Sequence, residues 1–188
     1  MRILIADDES IIRMGLKAML QRLGHEVVAA TNGREALQMA RTKQPELAIL
    51  DIKMPYTTGL QAAKTLAKTQ PMPILLLTAY SEQDLIEEAA VLPIHGYLIK
   101  PIKPEELTAA IAIAVQRFQE SQALAAEKAE LEQKLAKRKL IEQAKGKLMK
   151  TGLDEEQAYR ALQLYARNNR LTLAKAAEFV LTGASSGD

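Results

Sequence analysis

There is no cysteine anywhere in the 188 residues. That excludes disulfides and thiolate metal sites, and with His25 and His95 as the chain's two histidines, zinc is left without a ligand set. Tryptophan is also absent and aromatics make up 4% of the chain, so the interior has to be packed with aliphatic side chains and alanine, chiefly on helices. No stretch approaches the roughly 18 uninterrupted apolar residues of a membrane span, and no membrane partner is expected. The opening residues, MRILIA, read as a strand with neither an apolar leader nor a cleavage site, so the expected compartment is the cytoplasm. What is present, 48% hydrophobic and 26% charged residues, describes globular protein with room for two domains of unequal size.

Net charge is +2, unevenly spread. Residues 1 to 116 carry 12 Lys and Arg against 13 Asp and Glu, whereas 117 to 188 carry 13 against 10. A basic tail behind a faintly acidic front permits contact with nucleic acid.

The front is organised around Leu47 to Gly59, LAILDIKMPYTTG. An apolar run, Leu47 to Leu50, delivers Asp51 to the end of a buried strand, and Met54-Pro55 breaks the pattern into a loop. Three other stretches end in the same manner: IADDES on Asp7 and Asp8, LLLTA on Thr78, and YLIKP on Lys100. Strands are predicted at Ile3 to Ala6, Val27 to Ala30, Leu47 to Leu50, Ile74 to Leu77 and Tyr97 to Ile99. Helices are predicted between them at Ile11 to Leu23, Gly33 to Lys43, Leu60 to Lys68 and Asp84 to Val91. This alternation implies an α/β fold, a doubly wound five-stranded parallel sheet, with 2-1-3-4-5 the commoner strand order. Ligands of such sheets bind beyond the carboxyl ends of the strands, which brings three carboxylates, a hydroxyl and an ammonium to one crevice.

Neither glycine nor proline occurs from Glu105 to Lys145, potentially about 60 Å of helix at 1.5 Å per residue. Ile111, Val115 and Phe118 suit packing on the sheet. Beyond them Leu124, Leu131 and Leu135 form a sparse seam that fits either a short coiled coil or a solvated linker helix. Leu140 to Leu181 reads as three small helices, the second capped by Asp154 with Glu155, Glu156 and Gln157 in its first turn. Residues 183–188, GASSGD, read as a disordered tail. The expected organisation is therefore 1–118, a helical linker over 119–138, a three-helix unit over 139–182, and the tail.

Clustered carboxylates repel one another unless a cation joins them, and an oxygen-only set suits Mg²⁺. In that setting Asp51 can act as a nucleophile toward a phosphoryl group, with Lys100 and Thr78 on the phosphoryl oxygens. Each residue alone has a plainer explanation, such as an N-cap or a turn. Four at successive strand ends do not.

IADDES, LDIKMP with Gly59 four residues after Pro55, LLLTA and YLIKP resemble the receiver domain of two-component response regulators. The resemblance implies that Asp51 accepts a phosphoryl group from a sensor histidine kinase. It implies direct Mg²⁺ ligation by Asp8, Asp51 and the Lys53 carbonyl, with Asp7 helping through water. Thr78 and Ala79 would meet the phosphoryl group, Lys100 would pair with it, and Tyr97 would turn inward behind Thr78. Thr57-Thr58 stands where Met-Asp is frequent, and Lys53 and Tyr80 occupy positions that tune phosphoryl lifetime. Such a chain is a phosphoacceptor that assists its own phosphorylation and dephosphorylation, not a turnover enzyme.

IEQAKGKL at Ile141 to Leu148, followed by Met149-Lys150, resembles the start of the ANTAR domain, an RNA-binding output module of transcription antitermination regulators. The resemblance implies contacts to hairpin RNA from Lys139, Ala144, Lys145, Gly146, Met149, Lys150 and Tyr159, and the uninterrupted helix joining the two parts leads to the expectation of homodimers promoted by phosphorylation. Read from the residues alone, Gly146 within a helix costs about 1 kcal/mol relative to Ala, which calls for a close approach by a crossing helix or by a ligand. Tyr159 and Tyr165 are candidate stacking platforms or core residues. A DNA-binding output is the neighbouring alternative, but LAKAAEFVL offers base edges little beyond Lys175 and Glu178. A tail that only dimerises is the other alternative.

Overall fold

In the computed structural model, residues 1–79 and 93–182 are described. The helix expected over 84–91, Tyr80 and the tail after 182 lie outside the described residues. By its internal contacts the chain divides into two compact units, Met1–Gln122 and Ala123–Asp188.

The first unit is built on strands β1 (Arg2–Ala6), β2 (Glu26–Ala30), β3 (Leu47–Asp51), β4 (Ile74–Thr78) and β5 (Gly96–Ile99). All pair in parallel, in the order β2-β1-β3-β4-β5. The period-2 alternation of strand side chains explains why both faces are apolar. Leu4, Ala6, Ala48, Leu50, Ile74 and Leu76 point to one face, under α2 (Gly33–Lys43) and α3 (Gly59–Thr69). Ile3, Ile5, Leu47, Ile49, Leu75 and Leu77 point to the other, under α1 (Ser10–Arg22) and the first turns of α4 (Pro104–Met149). Leu107, Ile111 and Ala114 of α4 are buried there, with Val115 packed at the margin. Phe118 leaves that cluster and instead meets the His95 ring edge-on at 5.4 Å.

Local chemistry sets the helix starts. Asn32 Oδ1 accepts from the Glu35 N–H at 2.9 Å to cap α2. Thr58 and Gln61 form a capping box at α3: Thr58 Oγ1 accepts from the Gln61 N–H, and Gln61 Oε1 accepts from the Thr58 N–H. The threonine that replaces the frequent aspartate thus supplies the cap itself. Gly33 permits a close approach, because a Cβ there would stand 2.4 Å from the Thr57 carbonyl oxygen.

Within the second unit, the last turns of α4 pack with α5 (Glu155–Asn168) and α6 (Leu173–Thr182). The first of the three expected small helices is therefore the end of one 46-residue helix. Asp154 caps α5 as expected, with Gln157 completing the box. Ala144, Leu162, Ala166, Ala176 and Ala177 are buried at the centre, and Tyr165 packs against them, so it belongs to the core. Small residues there let the end of α4 and the two short helices approach closely. Between the two clusters α4 is solvated, and Leu124, Leu131 and Leu135 are 68%, 52% and 67% exposed. Ion pairs Lys128–Glu132 and Glu130–Lys134 lie along the same stretch.

Candidate functional site

Parallel strands share one carboxyl edge, so the residues that end or follow β1, β3, β4 and β5 meet there. Asp7 and Asp8 follow Ala6, Asp51 ends β3, Thr78 ends β4 and Lys100 follows Ile99. Asp7 and Asp51 are buried at 0% and 5% exposure, while Asp8 is exposed. One carboxylate oxygen from each of Asp7, Asp8 and Asp51 lies within 4.8 Å of the others. Lys100 Nζ stands 2.8 Å from Asp7 Oδ2 and 2.8 Å from Asp51 Oδ1, with Glu9 Oε1 farther off at 3.6 Å. Burial works against the Lys100 ammonium, but its hydrogen bonds to Asp51 and Asp7, and their charges, outweigh this and raise its pKa.

Formally, three carboxylates face one ammonium, leaving two negative charges uncompensated among this set. A divalent ion matches that surplus, and clustered hard oxygens match the ligand preference of Mg²⁺. The residues therefore fit such an ion.

The surroundings hold the acids in place. Asp7 Oδ1 accepts from the Glu9 N–H at 2.8 Å. Arg13 Nη1 donates to the carbonyls of Asp7 and Asp8 at 2.8 and 3.0 Å. A Cβ on Gly59 would stand 2.0 Å from the Asp51 carbonyl oxygen, so only glycine lets α3 begin this close to the end of β3. Thr78 is buried and its hydroxyl donates to the Ala79 carbonyl at 3.0 Å. Tyr97 packs against the α2/α3 face, and burial raises its phenol pKa. Lys53 is exposed two residues beyond Asp51, and Tyr56, 86% exposed, takes a left-handed φ of 66° in the same loop.

The second unit has a different arrangement. Lys145 is 9% exposed, and its Nζ donates to Glu142 and, at 2.8 Å, to Glu155 Oε1. These bonds raise the Lys145 pKa and hold the Glu155 carboxyl below the usual carboxylate range. The Tyr159 ring centroid lies 5.9 Å from the same Nζ, and Glu142, Glu155, Glu156, Lys145 and Tyr159 line a shallow cleft. Lys147 Nζ donates to the Val180 and Leu181 carbonyls at 2.8 and 3.0 Å and so caps the end of α6. Gly146 is exposed, and among the described residues no counted neighbour would lie within 4 Å of a Cβ added there. Of the two causes weighed for this glycine, a crossing helix or a ligand, no crossing helix approaches it among the described residues. Ala144 is buried in the core, while Lys139 and Met149 on α4 and Lys150 just past its end are exposed.

The response regulator receiver domain family matches residues 3–112, and the ANTAR domain family matches residues 129–181. The transcriptional regulatory protein PdtaR of Mycobacterium tuberculosis is 43% identical over 182 residues, 96% of this chain and 89% of that protein. The chain belongs to the response regulators. The front of this response regulator is also similar to the probable transcriptional regulator ycf27 of Pyropia yezoensis, 37% identical over 116 residues, or 62% of this chain and 48% of that one. Among solved structures, a receiver domain protein from Clostridium thermocellum superposes with a TM-score of 0.59 at 30% identity, covering 63% of this chain and 96% of that one.

The fold of the response regulator brings Asp7, Asp8, Asp51 and Lys100 together, with Thr78 on the same edge. Among the described helices, none is long and apolar enough to cross a membrane. Reading strand ends missed four residues that act from outside them: Arg13, Gly33, Thr58 and Gln61. The T-x-x-Q pattern ahead of α3 was the one available signal.

Proposed function

We propose that this response regulator accepts a phosphoryl group on Asp51 from the phosphohistidine of a sensor kinase, and that phosphorylation controls binding of its ANTAR unit to hairpin RNA, with transcription antitermination as the outcome. The observation that carries the reading is the placement of Asp51 beside two further carboxylates and within 2.8 Å of the Lys100 ammonium. In the transfer, an Asp51 carboxylate oxygen attacks phosphorus, the bond to the donor imidazole nitrogen breaks, and the imidazole leaves. Asp8, Asp51 and the Lys53 carbonyl, with Asp7 helping through water, would hold Mg²⁺, which when bound would supply charge neutralisation for the phosphoryl oxygens. Lys100 can turn from the Asp51 carboxylate to a phosphoryl oxygen without leaving Asp7, and the Thr78 hydroxyl can turn from the Ala79 carbonyl to another. Tyr97 follows on the next strand. The chain forms one acyl phosphate on itself and is not a turnover enzyme.

For the output, bare helix surface at Gly146, with Lys139 two turns earlier on the same face and exposed Lys150 just beyond the helix end, supports a backbone or base of RNA lying against α4. Tyr159 offers a partly exposed ring for stacking. Homodimers along the exposed Leu124, Leu131 and Leu135 would couple the two events. Moving an active fraction from 1:99 to 99:1 takes about 5.5 kcal/mol, more than a rearranged hydroxyl and ammonium supply alone.

The test uses the full chain. With magnesium chloride and acetyl phosphate, intact mass should rise by one phosphoryl group, and Asp51→Asn should abolish the gain; no gain in the wild type ends the phosphorylation reading. Hairpin RNAs with randomised loops, titrated with and without the phosphodonor, should bind more tightly when it is present and lose affinity with salt. Equal retention of duplex DNA would favour a DNA-binding output instead.

A further inference from the structure

We propose that Arg13 is a positioning residue for the acidic crevice, holding the main chain at Asp7 and Asp8 so that the exposed Asp8 carboxylate stays in reach of the cation. The inference rests on the reading of Asp7, Asp8 and Asp51 as a divalent-cation site. The three acids are not held equally. Asp51 is the last residue of a central strand and pairs with Lys100. Asp7 is buried, its N–H donates to the Ala30 carbonyl, one carboxylate oxygen accepts from the Glu9 N–H and the other meets Lys100. Asp8 has left the strand and is exposed, in a bend that precedes α1. The hydrogen bond that ties its main chain to a rigid element comes from Arg13, one turn into α1, whose Nη1 reaches the Asp8 carbonyl at 3.0 Å and the Asp7 carbonyl at 2.8 Å. A half-buried guanidinium thus clamps both acids through their backbone and contributes no ligand itself.

This arrangement sets two effects of opposite sign against each other. As a positive charge beside the crevice, Arg13 repels a divalent cation, so by charge alone its removal would tighten binding. As a clamp, it keeps a flexible ligand in place, and loss of groups that orient metal ligands costs about 10- to 100-fold in affinity. The geometry favours the clamp, because the guanidinium is spent on two carbonyls rather than directed at the carboxylates.

Titration of magnesium chloride into the nitrogen-15-labelled full chain at fixed ionic strength, followed by amide chemical shifts, gives the affinity and reports the fold in one measurement. Arg13→Ala should bind Mg²⁺ about 10-fold more weakly than wild type, with shifts remote from the crevice unchanged, and Arg13→Lys, which restores a donor of similar reach, should recover part of the loss. Equal or tighter binding by Arg13→Ala overturns the inference. Should that variant lose its dispersed spectrum, Arg13→Gln is read against the same two outcomes. Asp8→Asn separates the layers: if wild type shows no saturable binding, or Asp8→Asn binds as wild type does, the cation-site reading has failed and not merely the role of Arg13.

Discussion

Lys100 and Asp51 are joined at 2.8 Å in a crevice that also holds Asp7 at the same distance from the ammonium, so the chain carries its own counter-ion for a site that has more carboxylates than it can neutralise. The ion pairs tie the ends of β1, β3 and β5 together and at the same time leave charge for a cation to complete.

Replacing Lys100 separates these roles. Lys100→Met strands two buried carboxylates, and removal of one partner from a buried pair costs about 3–5 kcal/mol. The expected outcome is a large fall in the urea midpoint in chelator, much of it recovered by magnesium chloride because the metal then supplies the missing positive charge. A midpoint indifferent to magnesium in both proteins would contradict this. The raised Lys100 pKa puts the ammonium's own titration on the alkaline side. Its contribution is complete below the unfolded value of about 10.4 and is lost only as pH rises through the higher folded value.

Gly59→Ala should be more damaging than a helix-start glycine ordinarily is. The new Cβ would stand 2.0 Å from the carbonyl oxygen and 2.8 Å from the carbonyl carbon of Asp51, both backbone atoms with little room to yield. Overpacking of this sort costs about 1–3 kcal/mol, and because the displaced residue is the proposed phosphoacceptor, its rate with acetyl phosphate should fall about 100-fold. Stability by urea titration and phosphorylation by intact mass over time check the two parts. A stable variant phosphorylated at the wild-type rate would show that the loop gives way freely.

His95 makes stability depend on mildly acidic pH. Burial lowers its pKa, the nearby Arg117 guanidinium acts in the same direction, and Nδ1 accepts a hydrogen bond from the Ile74 N–H at 3.1 Å. Above about pH 6.5 the imidazole is neutral in both states and carries no penalty. As pH falls below that value the unfolded chain takes up the proton first, so stability drops until the lower folded pKa is reached. His25, also lowered by burial, adds to the same slope. Urea midpoints measured from pH 7.5 to 5 should decline in the wild type and decline less in His95→Asn, whose amide oxygen can replace Nδ1 as acceptor. Identical slopes would assign the effect to other groups.

Much of this architecture was legible because two simple periodicities coincide with it. Apolar runs ending on Asp51, Thr78 and Ile99 alternate with helical stretches, and a parallel sheet then has only one edge at which Asp7, Asp51 and Lys100 can meet. Contacts that cross between elements were not legible. Arg13 occupies an unremarked position in α1, and its reach back to two carbonyls depends on how the chain bends at Asp8. Thr57 looked like a departure from a motif until its contact with Gly33 placed it against α2. In the tail, the resemblance implied RNA contacts from Lys139, Lys145 and Lys150 alike. Lys145 is a buried tie between α4 and α5, and Lys147 caps α6, because a long side chain is drawn to the nearest unsatisfied carbonyl or carboxylate.

That division of the lysines leads to the prediction most specific to the output. Gly146 sits in the helix with open space where its Cβ would be, so Gly146→Ala should stabilise the second unit by about 1 kcal/mol through helix propensity alone. If RNA lies against that bare surface, the same methyl group intrudes on the contact and affinity falls. A gain in stability with a loss of binding cannot come from damage to the fold. Lys139→Ala and Lys150→Ala, which remove solvent-facing charge, should weaken binding and flatten its salt dependence by about one phosphate contact each, with little change in stability. Lys145→Ala should instead lower stability, since it leaves Glu142 and Glu155 without their shared partner. Filter binding to a retained hairpin, paired with urea unfolding followed by helical circular dichroism, measures both quantities on the same samples. If Gly146→Ala gains stability and keeps full RNA affinity, the ligand does not rest on this face of α4, and the cleft beside Tyr159 becomes the surface to test.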